Sequence, residues 1–413
     1  MNVFYATFIP GLQDFIAQTV KERLSGVKIH KLLDGAVIFE TETSYDKLNF
    51  FCFNNLFAVI SSVISTKEED YAKTRRKSGS LQREDFFREE ILYFINENHG
   101  HDVIYNNSKN IKTFRIVISN ENIPAAIDED LRTEAEKYIS RISGLKVNRT
   151  LPDTEYWFLY RREEKTETGQ SFFIFMKRLT MRPSWDKTLQ KGELPPPLAW
   201  ALCRLAGLTH KNKVLDPFCG YGSIVHSAVK HFHITNFIAC DINKKAAVFT
   251  AARFKKRLAC RNGQPDAPER EYDRSVKNGK TAESSNLIFY NADFNILPSL
   301  IKENSIDVII TDPPWGQYQE TSPVKESRNH NGNYGNLKTN LNYKGFCIFK
   351  MFDVFDRLLK ESGRAVVLYA NDDNFSYGIP GSFRLLNRIP VLLSGRKAVI
   401  YILNRKTRQT HEY

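Results

Sequence analysis

The sequence predicts an α/β protein whose C-terminal half is a mostly parallel sheet flanked by helices. Three observations predict it. From residue 213 onward, short apolar or β-branched runs alternate with stretches of helical spacing, the pattern of successive βα units. Four successive strands are each closed by an acid, at Asp216, Asp241, Asp293 and Asp312. Open α/β sheets hold their ligands at that carboxyl edge. The last two strands flank a Ser394-Gly395 turn, so the sheet ends in an antiparallel hairpin.

Composition sets the frame. At 413 residues the chain exceeds what one core can hold, so two or three domains are expected. Lys and Arg number 59 against 47 Asp and Glu, a net charge of +12 that favours a polyanionic partner. Six scattered cysteines form no Cys-x-x-Cys pair, which argues against zinc or redox sites and for reduced, intracellular thiols. The start Met1-Asn2-Val3-Phe4-Tyr5 lacks the features of a secretion signal, and no apolar run suffices to cross a bilayer. A cytoplasmic location with no membrane partner is therefore expected.

The N-terminal third opens with a strand over Val3–Ile9, broken by Pro10-Gly11, and a helix over 12–24. Lys28–Glu40 reads as a strand with Asp34-Gly35 as a turn or bulge, Tyr45–Val59 as a helix and Ile60–Ser65 as a strand. A β-α-β-α-β run of this length suggests a small ferredoxin-like unit. Residues 66–84 are cationic and poor in apolar groups, the marks of a linker or exposed loop. Helices are expected over 85–98 and 127–142. Strands are expected over Phe114–Ser119, Tyr156–Tyr160 and Phe172–Met176, the last two joined through Thr168-Gly169-Gln170. Cations of this second α/β module, among them Lys112, Arg115, Arg149, Arg161 and Arg178, are candidates for a phosphate-binding face.

Thr180–Pro197 is polar, ends Glu193-Leu194-Pro195-Pro196-Pro197, and reads as a tether. Proline is tolerated in a helix's first turn, so Pro197 can open the helix Leu198–Gly207. Strands follow at Val214-Leu215, Phe237–Cys240, Leu287–Tyr290, Ile306–Thr311, Ala365–Tyr369, Phe383–Pro390 and Lys397–Leu403, seven in all. Helices are expected over 223–231, 243–259 and 344–361. Residues 261–286 read as a surface insertion, and Gln317–Tyr343 as a long polar loop beside the crevice.

The chemistry gathers in two stretches. Asp216-Pro217-Phe218-Cys219-Gly220-Tyr221-Gly222-Ser223 leaves a strand and opens a helix, and Gly220 and Gly222 permit close backbone approach to a ligand. The pattern is not Gly-x-Gly-x-x-Gly, so a dinucleotide pyrophosphate is poorly supported. A small carboxylate end held by loop and helix-start amides fits better. Asp241 is placed for ribose hydroxyls and Asp293 for an adenine amine, with Ile242 or Phe294 against the ring. Each acid alone reads equally as a cap or turn residue; four in succession do not. The second stretch is Val308-Ile309-Ile310-Thr311-Asp312-Pro313-Pro314-Trp315-Gly316. Two prolines stop the strand and stiffen the corner. A carboxylate, a backbone carbonyl and an indole then suit a flat base with an exocyclic amine.

These stretches carry a resemblance. "LDPFCGYGSI" and "TDPPWG" resemble the glycine and Asp-Pro-Pro-aromatic motifs of class I S-adenosylmethionine-dependent methyltransferases that modify amino groups. The whole chain resembles the THUMP-domain guanosine methyltransferases of transfer RNA. "NRTLPDTEYWFLYRRE" is similar to the close of a THUMP module, and "RLTMRPSWDKTLQKGELPPPLAWALCRLAGL" to the connecting segment. The resemblance implies a ferredoxin-like domain at 1–66, a THUMP RNA-binding domain at 67–180, a linker at 181–197 and a Rossmann-like methyltransferase domain at 198–413. It implies S-adenosylmethionine as cofactor, held by Leu194, Asp216, Pro217, Cys219, Gly220, Gly222, Ser223, Asp241, Ile242, Asp293 and Phe294. It implies a catalytic corner of Asp312, Pro313, Pro314 and Trp315, a tRNA substrate methylated at guanine N2, and a small activating subunit as a candidate partner. The chain departs from the family in the insertion at 261–286 and in Trp315, where Tyr or Phe is common. Asp-Pro-Pro-aromatic also occurs in enzymes acting on ribosomal RNA or DNA adenine. Those substrates, and an RNA-binding protein without catalysis, are the alternatives.

Overall fold

The computed structural model describes residues 2–43, 48, 52–65, 91–95, 111–120, 123–125, 128–162, 171–179, 189–190, 192–256, 258–261, 264–265, 286–314, 342–343, 346–370 and 372–407. Several expectations lie outside them: the basic loop 66–84, most of the helix 85–98, the turn 168–170, most of the insertion 261–286, Trp315, and all but the end of the loop Gln317–Tyr343. The chain divides into two compact units, Met1–Ser184 and Trp185–Tyr413.

The first unit is built on one nine-stranded sheet. Its strands are β1 (Asn2–Thr7), β2 (Lys28–Leu33), β3 (Ala36–Thr41), β4 (Asn55–Ser65), β5 (Thr113–Asn120), β6 (Ile123–Pro124), β7 (Lys146–Val147), β8 (Thr154–Arg162) and β9 (Ser171–Arg178). The order is β2-β3-β1-β4-β9-β8-β5-β6, with β7 beside β5. The join between the N-terminal strands and the rest is the antiparallel pairing of β4 with β9. Helix α1 (Gln13–Arg23) follows β1. Helix α2 (Glu129–Ser143) begins at the Asp128 cap and ends at Gly144 in a left-handed conformation. It buries Leu131, Ala135, Ile139 and Ile142 with Phe114, Ile116 and Phe158 of the sheet.

The helix expected over Tyr45–Val59 is corrected from Asn55 onward, where the chain is strand β4. Leu56-Phe57-Ala58-Val59-Ile60 is a short continuous apolar run, which periodicity cannot assign. Tertiary pairing with β1 and β9 decides it.

The second unit carries the parallel sheet. It contains β10 (Lys213–Asp216), β11 (Asn236–Asp241), β12 (Leu258–Arg261), β13 (Gln264–Pro265), β14 (Asn286–Asn291), β15 (Ile306–Thr311), β18 (Leu359–Tyr369), β19 (Phe383–Leu393) and β20 (Arg396–Arg405). A separate two-stranded piece pairs β16 (Asn342–Tyr343) with β17 (Phe346–Cys347). The sheet order is β13-β12-β14-β11-β10-β15-β18-β20-β19. The seven expected strands are present, and β12 and β13 add two short ones at one edge. Strands β14, β11, β10, β15 and β18 run parallel, and β20 and β19 close the sheet antiparallel. Ser394 and Gly395 both have positive φ, 48° and 80°, as a two-residue hairpin turn requires.

The helices are α3 (Pro196–Leu205), α4 (Ser223–Phe232), α5 (Lys244–Arg253), α6 (Leu297–Leu300), α7 (Ile348–Leu358) and α8 (Asp372–Gly378). The three prolines serve α3 as cap and first turn, with Pro195 at the cap. Helix α5 ends at Arg253, before the 259 expected, and Leu258 begins a strand. Helix α7 buries Met351, Phe352, Phe355 and Leu358 against Ile309, Ala365, Val367 and Tyr401. Strand β10 has β11 on one side and β15 on the other. The sheet order reverses there, and the crevice of an open α/β sheet opens at such a point.

Candidate active site

A cleft of about 330 Å³ opens at that reversal. Glycine-loop residues Asp216, Pro217, Phe218, Cys219, Gly220, Tyr221 and Ser223 form its floor. Asp241 and Ile242 after β11, Asp293 and Phe294 after β14, and Asp312 and Pro314 after β15 form its walls. Gly192, Glu193, Leu194 and Ile224 complete the lining.

The loop owes its shape to its glycines and to three anchors. Gly220 and Gly222 have φ of 50° and 82°. A Cβ on Gly222 would lie 2.5 Å from Thr250 Cγ2, so only glycine fits there. Cys219 N donates to Cys240 O at 2.8 Å, Gly220 N to Asp241 Oδ2 at 2.7 Å, and Thr250 Oγ1 to Gly220 O at 2.8 Å.

Asp216 is fully buried. Its Oδ1 accepts from Thr311 Oγ1 at 2.8 Å and from Phe218 N at 3.2 Å. Its Oδ2 has no hydrogen-bond partner among the described residues. Burial pushes its carboxyl up to about 7, against the pull of those two donors. Burial also raises Asp241, whose Oδ1 accepts from Asn243 N at 2.8 Å. Asn291 Nδ2 donates to both Asp241 O and Ile242 O, at 3.0 Å each, and so fixes the exit of β11. Ile242 is 72% exposed on the cleft wall. Phe294 stands with its ring 4.8 Å from that of Phe218. Asp293 caps a 3-10 turn through Asn295 N at 2.9 Å.

Of the residues singled out in the sequence, Leu194, Asp216, Pro217, Cys219, Gly220, Ser223, Asp241, Ile242, Asp293, Phe294, Asp312 and Pro314 line this one cleft. Gly222 and Pro313 are buried beside it rather than in its wall. Trp315 is outside the described residues. Gly192, Glu193, Phe218, Tyr221 and Ile224 are additions. Phe218 and Tyr221 sit inside the loop motif, which was the available signal. Glu193 adjoins Leu194, but no local pattern announces its reach: its Oε1 accepts from Arg253 Nη2 at 2.8 Å and its Oε2 from Gln190 N at 3.0 Å. Among the described residues no group of His, Cys, Asp or Glu could hold a metal ion.

In the first unit several cations are engaged internally. Arg115 and Arg178 meet Glu155, Arg161 donates to Tyr5 Oη and Asp34 O, and Arg149 pairs with Glu129 and Glu136. Arg141 and Lys146 are exposed.

Comparison with solved structures decides the fold. The chain superposes on TrmN from Thermus thermophilus with a TM-score of 0.62 at 18% identity, covering 98% of this chain and 100% of that one. The second unit has the class I methyltransferase fold. SMU.472, a putative methyltransferase solved with SAH, gives 0.59 at 11% identity over 98% of each chain. A predicted N6-adenine-specific DNA methylase from Listeria monocytogenes gives 0.54 at 12% identity, over 97% of this chain and 95% of that one. Residues 183–330 match the family model described as UPF0020, RMKL-like, methyltransferase domain, a span that holds the glycine loop and the Asp312 corner of the methyltransferase fold. Two curated relatives are named tRNA (guanine(6)-N(2))-methyltransferase THUMP3, from Mus musculus and Homo sapiens. Each is 25% identical over 211 residues, 50% of this chain and 35% of the relative. The chain therefore spans about a third of the length of the relatives it matches. No helix among the described residues is long and apolar enough to cross a membrane.

Proposed function

We propose that the chain transfers a methyl group from S-adenosylmethionine to the exocyclic N2 of a guanosine in tRNA. One observation carries the reading: the glycine loop of β10, the acids after β11 and β14, and Asp312 and Pro314 after β15 share one cleft. The cleft fits the cofactor. Exposed Ile242 and the ring of Phe294 at the cleft offer an apolar wall for an adenine, Asp241 and Asp293 offer acceptors for hydroxyl and amine groups, and Asp216 presents an unpartnered carboxyl oxygen to a cationic ligand. The bound cofactor supplies an electrophilic methyl on a sulfonium, so no metal is needed.

The protein's part is to place and polarise the amine. The lone pair of a guanine N2 is delocalised into its ring. Acceptance of its two N–H groups by the Asp312 carboxylate and the Pro313 carbonyl orients that nitrogen and stabilises the positive charge developing on it. Holding it in line supplies much of the rate. Proton loss follows transfer and needs no strong base. Trp315 is proposed as the stacking partner of a base flipped out of its helix.

The first unit is proposed as the RNA grip, with a ferredoxin-like domain at 1–66 and a THUMP domain at 67–180 acting through shape and phosphates. The THUMP3 names of the matched relatives support the tRNA substrate. A small activating subunit is a proposed partner and the cytoplasm the proposed compartment.

The test pairs Asp312→Ala with nucleoside mass analysis. The wild-type chain should form N2-methylguanosine in tRNA from cells lacking the gene. Asp312→Ala should still bind S-adenosylhomocysteine while transfer falls by about 100-fold or more. Near-normal turnover of the variant rejects the role of Asp312. N6-methyladenosine as the product would reassign the substrate.

A further inference from the structure

The fully buried side chains of Thr311 and Asp216 meet across the point where sheet order reverses. Strand β10 ends at Asp216 and β15 ends at Thr311, one residue before Asp312. On the β10 side, the last pairs of the backbone ladder are Val214 with Val308 and Leu215 with Ile309. The ladder on that side thus stops two residues short of Thr311. Pro313 and Pro314, just beyond, have no N–H with which to resume it. The bond from Thr311 Oγ1 to Asp216 Oδ1, 2.8 Å long, takes over where the ladder ends. The same oxygen accepts from Phe218 N, at the head of the glycine loop. One carboxylate therefore holds both the loop and the strand end that carries Asp312.

We propose that Thr311 is a positioning residue for the transfer step, its hydroxyl on Asp216 setting the direction in which Asp312 leaves β15 relative to the glycine loop. The inference rests on the methyltransferase reading given above. Thr311 is not itself among the residues lining the cleft, so it acts through Asp312. A misplacement of about 1 Å at a reacting centre is enough to slow a reaction about 100-fold. The hydroxyl does what an apolar side chain of the same shape would not: it gives the buried carboxylate a donor and ties the two strand ends together.

The experiment compares Thr311→Val, Thr311→Ser and Thr311→Ala with the wild-type chain. It reads kcat and KM on tRNA from cells lacking the gene, and S-adenosylhomocysteine affinity by calorimetry. Valine keeps the shape and loses the hydroxyl; serine does the reverse. Thr311→Val should lose about tenfold or more in kcat, with KM and the affinity within about threefold of wild type. Thr311→Ser should recover to within about threefold of wild-type kcat. If the valine variant does not fold, alanine read against serine makes the same comparison. The proposal is overturned if the variants lacking the hydroxyl turn over within about twofold of wild type, if serine is as slow as they are, or if the loss appears equally in cofactor affinity. A wild-type chain that neither binds S-adenosylhomocysteine nor methylates RNA would overturn the methyltransferase reading itself, and this proposal with it. An active wild type with a normal Thr311→Val overturns the proposal alone.

Discussion

Gly220 N donates a 2.7 Å hydrogen bond to Asp241 Oδ2, latching the loop after β10 to the end of β11. The other oxygen of Asp241 accepts from Asn243 N. Asparagine at 241 keeps the size but offers a donor to one of these two amides, so one bond must fail. A buried amide left unpaired costs about 1–3 kcal/mol. Asp241→Asn should therefore weaken S-adenosylhomocysteine binding by about tenfold or more, and calorimetry giving an unchanged affinity would reject the latch.

The two loop glycines should respond unequally to alanine. At Gly220 a Cβ meets nothing within 4 Å, and only the left-handed backbone is penalised, by about 1–2 kcal/mol. At Gly222 the same backbone cost is joined by a collision with Thr250. Gly222→Ala should lose measurable cofactor binding while Gly220→Ala retains it. Equal affinities in a side-by-side titration would contradict the geometry.

Asp216 makes stability depend on pH. Its folded carboxyl is raised to about 7 from the ordinary aspartate value of 3.8, so between these the native state holds a proton that the unfolded chain has released. Native stability should then fall as pH rises through that window, by roughly 1.4 kcal/mol per pH unit at most, and level off above it. Asp216→Asn should remove this contribution. Thermal melts of both proteins at about pH 5 and pH 8 measure the difference between them; identical pH dependence would be the contrary result.

The first unit has a similar test at Glu155. This carboxylate is 1% exposed and receives Arg115, Arg178 and Trp157 Nε1. Burial alone would raise its pKa, but the hydrogen bonds from Arg178 and Trp157 and the two guanidinium charges hold it below the usual value. Its stabilising effect is therefore present above the unfolded carboxylate pKa and lost as pH falls through the folded one. Glu155→Ala leaves Arg115 and Arg178 without their shared carboxylate and should cost about 3–5 kcal/mol. Urea denaturation at neutral pH checks the figure.

Much of this was legible in the residues. The acids at strand ends and the Ser394-Gly395 turn announced the second sheet, because both depend on local chemistry. Asp312 and the glycine loop could be singled out for the same reason. What escaped reading depends on partners distant in sequence. The start of strand β4, Asn55–Val59, fits helical spacing in the sequence, and only pairing with β1 and β9 makes it a strand. Glu193 and Thr311 look ordinary until Arg253 and Asp216 are brought beside them.

The pairing of β4 with β9 has a consequence for synthesis. Phe57 faces Arg178 and Ser65 faces Ser171 across that join. While the nascent chain emerges, β4 has β1 on one flank and an open row of backbone donors and acceptors on the other. That row waits until residue 178 has left the ribosome, and the loop closure that satisfies it is a long one. An interruption of translation, or a protease cut in the interval, would leave an adhesive strand edge available to any other extended peptide.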